Sequence, residues 1–125
     1  MASELKSEGL NFKIVTTEDE LNAELEKAKG KKVILDFAAD WCAACKELDA
    51  TTFKDKDVMA KMSEFVLIRA DITANTDKQK ALSKRYGVFG PPVIIFIDKD
   101  SKVLDNETIT GYKAPAEFLK HLGNL

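Results

Sequence analysis

Three short and almost unbroken apolar runs constrain this chain more than any other feature. They are Val33, Ile34, Leu35, Asp36 and Phe37; Phe65, Val66, Leu67, Ile68, Arg69 and Ala70; and Val93, Ile94, Ile95, Phe96 and Ile97. Such runs are too short for helices and too apolar for strands with one wet face, so they predict central strands covered on both sides. Helical signals fill the gaps. Thr17 and Glu20 form a capping box, the threonine accepting from an early helix N–H and Glu20 reaching back to the Thr17 N–H. Leu21, Leu25 and Ala28 follow on one face, and Gly30 ends the helix. Asp55 or Asp57 caps a segment bearing Val58, Met59 and Met62. Thr76 and Gln79 open another helix, with Ala81, Leu82 and Tyr86 turned inward and Gly87 as its stop. Pro115 suits the first turn of a last helix carrying Phe118, Leu119 and Leu122. Leu10, Phe12 and Ile14 alternate as a short first strand, and the turn Asp98, Lys99, Asp100, Ser101 predicts an antiparallel return over about 102–108. The class is α/β, a mixed central sheet with a parallel core, an antiparallel edge and helices on both faces.

At 125 residues the chain suits one domain, placed at 10–125, with the polar residues 1–9 as a flexible tail or linker. Nineteen Lys and Arg against 21 Asp and Glu give a net charge of −2, which gives no reason to expect nucleic acid or an anionic membrane as partner. No run reaches the roughly eighteen apolar residues of a membrane helix, and the N-terminus lacks a signal-peptide core.

The two cysteines, Cys42 and Cys45, follow directly on the first apolar run. Leu48 and Phe53 continue a helical face behind them to about Thr52. The pair therefore falls where a strand turns into a helix, and the unpaired N–H groups and dipole of a helix start favour a thiolate there. A structural zinc site needs four ligands; the chain offers these two thiols and one distant His121, so no metal is expected. A staple across so short a loop gives roughly 2 kcal/mol, against about 4.7 for a long one. Haem attachment requires His right after the second Cys, where Lys46 stands. A cycling dithiol remains, needing no cofactor beyond the cysteines and acting on protein thiols or disulfides. Cys42, at the helix start, is expected to attack, and Cys45, one turn inside, to resolve the mixed disulfide.

Asp36 interrupts an apolar strand, which is costly unless it is protonated or paired. Buried, it has a raised pKa and can exchange a proton with Cys45; at a strand edge it would simply face water. Asp49 lies four residues after Cys45 and seven after Cys42, on one helix face, where its charge disfavours a thiolate. Lys46 opposes that charge or is a solvated surface lysine. Trp41 reads as an apolar wall beside the site or as a core tryptophan. With two carboxylates nearby and no cation between the cysteines, Cys42 is expected to be a weak acid for its class. The protein is then a reductant, nearer the about −270 mV end of the protein dithiol scale than the about −120 mV end.

Trp41, Cys42, Cys45 and Lys46 after a central strand, with Pro91 and Pro92 ahead of a later one, resemble the thioredoxin fold from about Leu10 to Leu125. Residues 35–42, 45–53 and 71–75 also resemble the C-terminal periplasmic domain of the DsbD family of thiol:disulfide interchange proteins. That resemblance implies a domain excised from a longer protein and monomeric in isolation. It would take electrons from a membrane-embedded domain and hand them to an N-terminal domain of the same protein, in the periplasm, with the cytoplasm as the alternative. It also implies that Asp36 lies beneath Cys45. The Pro91–Pro92 bond is expected to be cis and to lie against the Cys42 sulfur, and the residue before Pro92 to pair its backbone with the substrate. Two residues depart from the pattern: Pro91 replaces a common aliphatic residue, and Asp49 a familiar glutamate. A free-standing thioredoxin-like reductase or isomerase, and a non-redox binding module with incidental cysteines, are the competing readings, and fold alone does not separate them.

Overall fold

A computed structural model describes residues 9–125. Of the expected tail, only Gly9, in a turn, lies among the described residues. The strands are β1 (Lys13–Val15), β2 (Val33–Ala38), β3 (Val66–Asp71), β4 (Val93–Ile97) and β5 (Ile109–Thr110). The helices are α1 (Glu18–Lys27), α2 (Ala43–Ala50), α3 (Lys56–Met62), α4 (Asp77–Arg85) and α5 (Pro115–Gly123). The sheet order is β1-β3-β2-β4-β5. β1, β3 and β2 run parallel, while β4 pairs antiparallel with β2, and β5 antiparallel with β4.

The three apolar runs form the three inner strands, because only there is each face covered. Side chains alternate along β2, so Val33, Leu35 and Phe37 point to one side and Ile34 and Asp36 to the other. The first side packs with Leu21 of α1 and Leu82 of α4. The second packs with Val58 and Met62 of α3 and with Phe118 and Leu122 of α5. Helix α2 serves both, giving Cys45 to the first cluster and Leu48 to the second. It therefore lies over the end of the sheet, held from two directions.

Several local expectations change in the structure. The predicted strand over 102–108 is reduced to a single bridge, Ile97 with Val103, followed by a 3₁₀ turn at Asp105–Glu107 and the two-residue β5. Asp105, Asn106 and Glu107 are poor strand formers, and the return pairing resumes only at Ile109. Helix α2 stops at Ala50, short of Thr52: the Thr51 hydroxyl donates to the Glu47 carbonyl at 2.8 Å, and a 3₁₀ turn, Thr52–Lys54, follows. In α4, Ala81 is exposed and Gln79 is buried in its place. The capping box at Thr76 explains this, since Gln79 Oε1 accepts from the Thr76 N–H while Gln79 N–H donates to Thr76 Oγ1. At α1, Thr17 caps the Glu20 N–H as expected, but Glu20 Oε1 reaches Thr16 N at 2.7 Å and Thr16 Oγ1 at 3.0 Å, one residue further back than the box pattern implies. Of the two candidate caps for α3, Asp55 serves.

Candidate active site

Chain direction places the cysteines at the site. β2 leaves the sheet at Ala38, Ala39 accepts the Cys42 N–H at 3.2 Å, and α2 begins at Ala43 with Cys42 as its N-cap. The cap is the sulfur itself: Cys42 Sγ accepts the Cys45 N–H at 3.1 Å. A sulfur in this position faces the unpaired N–H groups and positive end of the helix, which favour its charged form when reduced. Cys42 and Cys45 are joined as a disulfide, with Cα atoms 5.2 Å apart. Cys42 is 7% exposed and Cys45 3%. Cys42, the expected attacker, is thus nearly covered, so a partner must press close to reach it.

Three loops carry the other residues of interest. Trp41 is 60% exposed, which removes the core reading and leaves the wall reading. Its indole Nε1–H donates to the Thr73 carbonyl at 3.0 Å, and the Thr73 hydroxyl accepts the Asp40 N–H at 2.9 Å. Thr73 was not singled out as a site residue; its signal was its place in the 71–75 stretch. The Pro91–Pro92 bond is cis, as expected. Between Trp41 and Pro91 runs a groove of about 470 Å³ lined also by Ile72, Lys80, Lys84, Val88 and Phe89. Phe89 is fully exposed there, a second large apolar side chain that the sequence reading passed over.

Beneath α2 lies an ionic cluster. Asp36 is buried, so the solvent-edge alternative falls away, and its partner is Arg69, directly opposite on β3 and 1% exposed. Arg69 Nε donates to Asp36 Oδ2 at 2.9 Å and Nη2 approaches the same oxygen at 2.7 Å. The same guanidinium forks onto Asp49, with Nη2 to Oδ1 at 2.8 Å and Nη1 to Oδ2 at 3.2 Å, and it stacks 4.2 Å from the Phe12 ring centre. Three of the four carboxylate oxygens are thus engaged by one cation, while Asp36 Oδ1 is buried without a protein partner. Burial pushes the Asp36 carboxyl above the usual range; Arg69 pulls it back, and the Asp49 charge adds to the rise. Burial works against the charge on Arg69, but Asp36 and Asp49 outweigh it and hold the guanidinium protonated. Asp36 and Asp49 are therefore brought together by Arg69, a cation lying in one of the apolar runs of the sequence.

Residues 20–125 match the model of the thioredoxin-like domain family. The chain is 43% identical over 123 residues to the thiol:disulfide interchange protein DsbD of Yersinia enterocolitica, a match covering 98% of this chain and 21% of that protein. A DsbD of Salmonella paratyphi A is 44% identical over 113 residues, or 90% of this chain and 20% of that one. The chain thus spans about a fifth of the length of these curated relatives. Among solved structures, the oxidised C-terminal domain of DsbD from Neisseria meningitidis superposes with a TM-score of 0.74 at 32% identity, covering 89% of this chain and 97% of that one. Among the described residues, no helix is long and apolar enough to cross a membrane. With its cysteine pair at the start of α2, its mixed five-stranded sheet and its match to nearly the whole of that solved domain, the chain belongs to the thioredoxin-like family, in the group of DsbD C-terminal domains.

Proposed function

We propose that the chain is a thiol:disulfide oxidoreductase domain that works as a reductant between partner protein domains. The observation that carries this reading is the Cys42 sulfur capping α2 against the Cys45 N–H, one turn outside the more deeply buried Cys45. In the reduced form the Cys42 thiolate attacks one sulfur of a partner disulfide, and the other partner sulfur leaves as a thiolate. Cys45 then gives up its proton, with Asp36 as the acceptor, and attacks Cys42 Sγ. The bond from Cys42 to the partner breaks, the second partner sulfur leaves, and two electrons have passed to the partner while Cys42 and Cys45 become a disulfide. Asp49 supplies charge from the same helix. Membrane-embedded and N-terminal domains of a longer protein are the natural exchange partners, and the periplasm the natural compartment; the relatives' names and lengths support this.

The groove between Trp41 and Pro91 is where a partner segment would lie. Pro91 has no N–H, so the segment meets only its carbonyl and forgoes one main-chain bond of roughly 0.5–1.5 kcal/mol. Docking is accordingly weak and short-lived, which suits a carrier that must leave one partner to meet the next. Pro91→Ile should tighten binding of a partner domain several-fold by calorimetry with both cysteines replaced; unchanged affinity sinks this part of the reading.

The test of the reaction is a trap. Cys45→Ser should accumulate a mixed disulfide with a partner through Cys42. An adduct that instead forms through Cys45 in Cys42→Ser reverses the roles, and no adduct in either variant overturns the exchange reading.

A further inference from the structure

Helix α4 divides its cations between α1 and the groove. Arg85 donates to Glu18 and Asn22 of α1, and Lys78 lines a cleft with Glu18 and Asp19. Lys80 and Lys84, about one turn apart, line the groove between Trp41 and Pro91 instead. Both are exposed, and among the described residues neither is paired with a carboxylate, although α1 offers Glu18, Asp19 and Glu20 in its first turn alone. Like charges four residues apart on a helix weaken it. Lys84, in the last turn, is favoured there by the helix dipole, but Lys80 lies outside that turn and gains nothing from it. The chain has more acids than bases, 21 Asp and Glu against 19 Lys and Arg, yet no carboxylate lines this groove. The groove also exposes two large aromatic side chains, Phe89 completely and Trp41 by 60%. Exposed apolar surface of this kind, rimmed by charge, marks a contact site. Trp41 is the chain neighbour of Cys42, so the groove borders the residue next to the attacking cysteine.

We propose that Lys80 and Lys84 are specificity-determining residues: they select a partner protein segment that carries a large apolar side chain for Trp41 and Phe89 and, beside it, carboxylates for the two lysines. This deepens the exchange reading above and rests on it. Two cations beside an apolar wall, with no carboxylate among the lining residues, hold a positive potential along the groove. That potential draws in an acidic segment and turns away a basic one, and it acts mainly on the rate of encounter. Lysines suit this task, since each is a point charge on a flexible stem and asks for charge rather than for one fixed geometry. Charge thus supplies a discrimination that main-chain pairing at Pro91, which has no N–H, does not.

Synthetic peptides closed by one internal disulfide test this. All carry a Leu beside the first Cys, and they differ only in a pair of neighbouring positions, filled by Glu, by Gln or by Lys. The rate at which the reduced full chain opens each peptide is divided by the rate for dithiothreitol on the same peptide, which removes the peptide's own reactivity. In low salt the wild type should favour the Glu peptide over the Gln peptide roughly tenfold, the lower end of the range for a charge-focusing cleft, and should open the Lys peptide slowest. The preference should fade as salt approaches about 1 M, where the Debye length is about 3 Å. In Lys80→Gln with Lys84→Gln it should vanish, and in Lys80→Glu with Lys84→Glu the order should invert, the Lys peptide leading. A ratio taken within one protein cancels a general loss of activity, and an inverted order cannot come from misfolding. Replacing the Leu by Ser in the Glu peptide should slow the wild type several-fold and Phe89→Ser by less. Equal rates for the Glu and Gln peptides in the wild type, a preference untouched by salt or surviving in both double variants, or equal loss on removing the Leu overturns the proposal. Hydroxyethyl disulfide, small and neutral, separates the two readings. A wild type that reduces neither it nor any peptide overturns the exchange reading itself, whereas one that reduces them all without preference overturns only this assignment.

Discussion

Arg69 and Arg85 are built alike and live in different media. Each joins separate elements: Arg69 ties β3 to β2 and α2, and Arg85 ties α4 to α1 through Glu18 at 3.3 Å and Asn22 at 2.9 Å. Each stacks on an aromatic ring, Phe12 for one and Tyr86 for the other. Arg85 is 40% exposed, however, and Arg69 is closed off. Water and salt screen the surface pair to about 0–1 kcal/mol. The buried cluster has given up several kcal/mol of hydration per ion and regains it only through close contacts. A protein seeking stability alone would fill that space with apolar side chains, as the rest of the same core does with Phe53 and Phe118. The ionic groups thus stand there at a desolvation cost that their apolar neighbours do not bear.

Breaking the cluster should have the largest effect. Arg69→Met leaves two buried carboxylates without their cation and should cost about 3–5 kcal/mol in urea unfolding. Its pH dependence has a definite sign. Removing the group that pulls Asp36 down raises its folded pKa further, so the added penalty grows as pH rises above the ordinary carboxylate range and fades as pH falls back into it. A deficit that widened on acidification would contradict the assigned burial. Replacing the whole cluster, Arg69→Met with Asp36→Val and Asp49→Leu, should leave stability unchanged or raise it by about 1–4 kcal/mol while the resolving step is lost. This result would separate what the cluster does for folding from what it does for chemistry. Arg85→Ala should cost under about 1 kcal/mol, and less in high salt; a loss matching that of Arg69→Met would dissolve the contrast. Smallest of all is Glu20, whose carboxyl is held below the usual range chiefly by the Thr16 N–H. A lowered folded pKa stabilises above the ordinary carboxylate range and ceases to as pH falls through the folded value, so Glu20→Gln should flatten only the acid limb of the stability profile.

The three inner strands, the redox pair and the burial of Asp36 were legible because each is a local pattern. A run of apolar residues, a spacing of two cysteines and a charge out of place can all be read within a few positions. Arg69 was legible only in principle. It lies in an apolar run just as Asp36 does, and two opposite charges stranded in two central strands invite pairing, but the parallel register that sets them opposite each other is a tertiary fact. Asp49 joins them from 20 residues away in sequence. Thr73 and Phe89 escaped because ordinary polar and aromatic residues in loops gain meaning only from what stands next to them in space. The overextended strand at 102–108 failed for the opposite reason: its alternation was sound, but its sheet partner β4 meets it only at Val103 before the chain turns.

Strand β3 carries Arg69 near its end, and four residues later the same chain reaches Thr73, which grips the Asp40 and Trp41 backbone and indole. β3 ends at Asp71, and the chain then turns, the Thr73 N–H donating to Asp71 Oδ1 at 2.9 Å. That stretch of chain joins the arginine that holds Asp36 to the threonine that holds the Trp41 indole. A partner that seats against the tryptophan therefore meets a rim whose backing, Thr73, lies four residues along the chain from the arginine that holds Asp36.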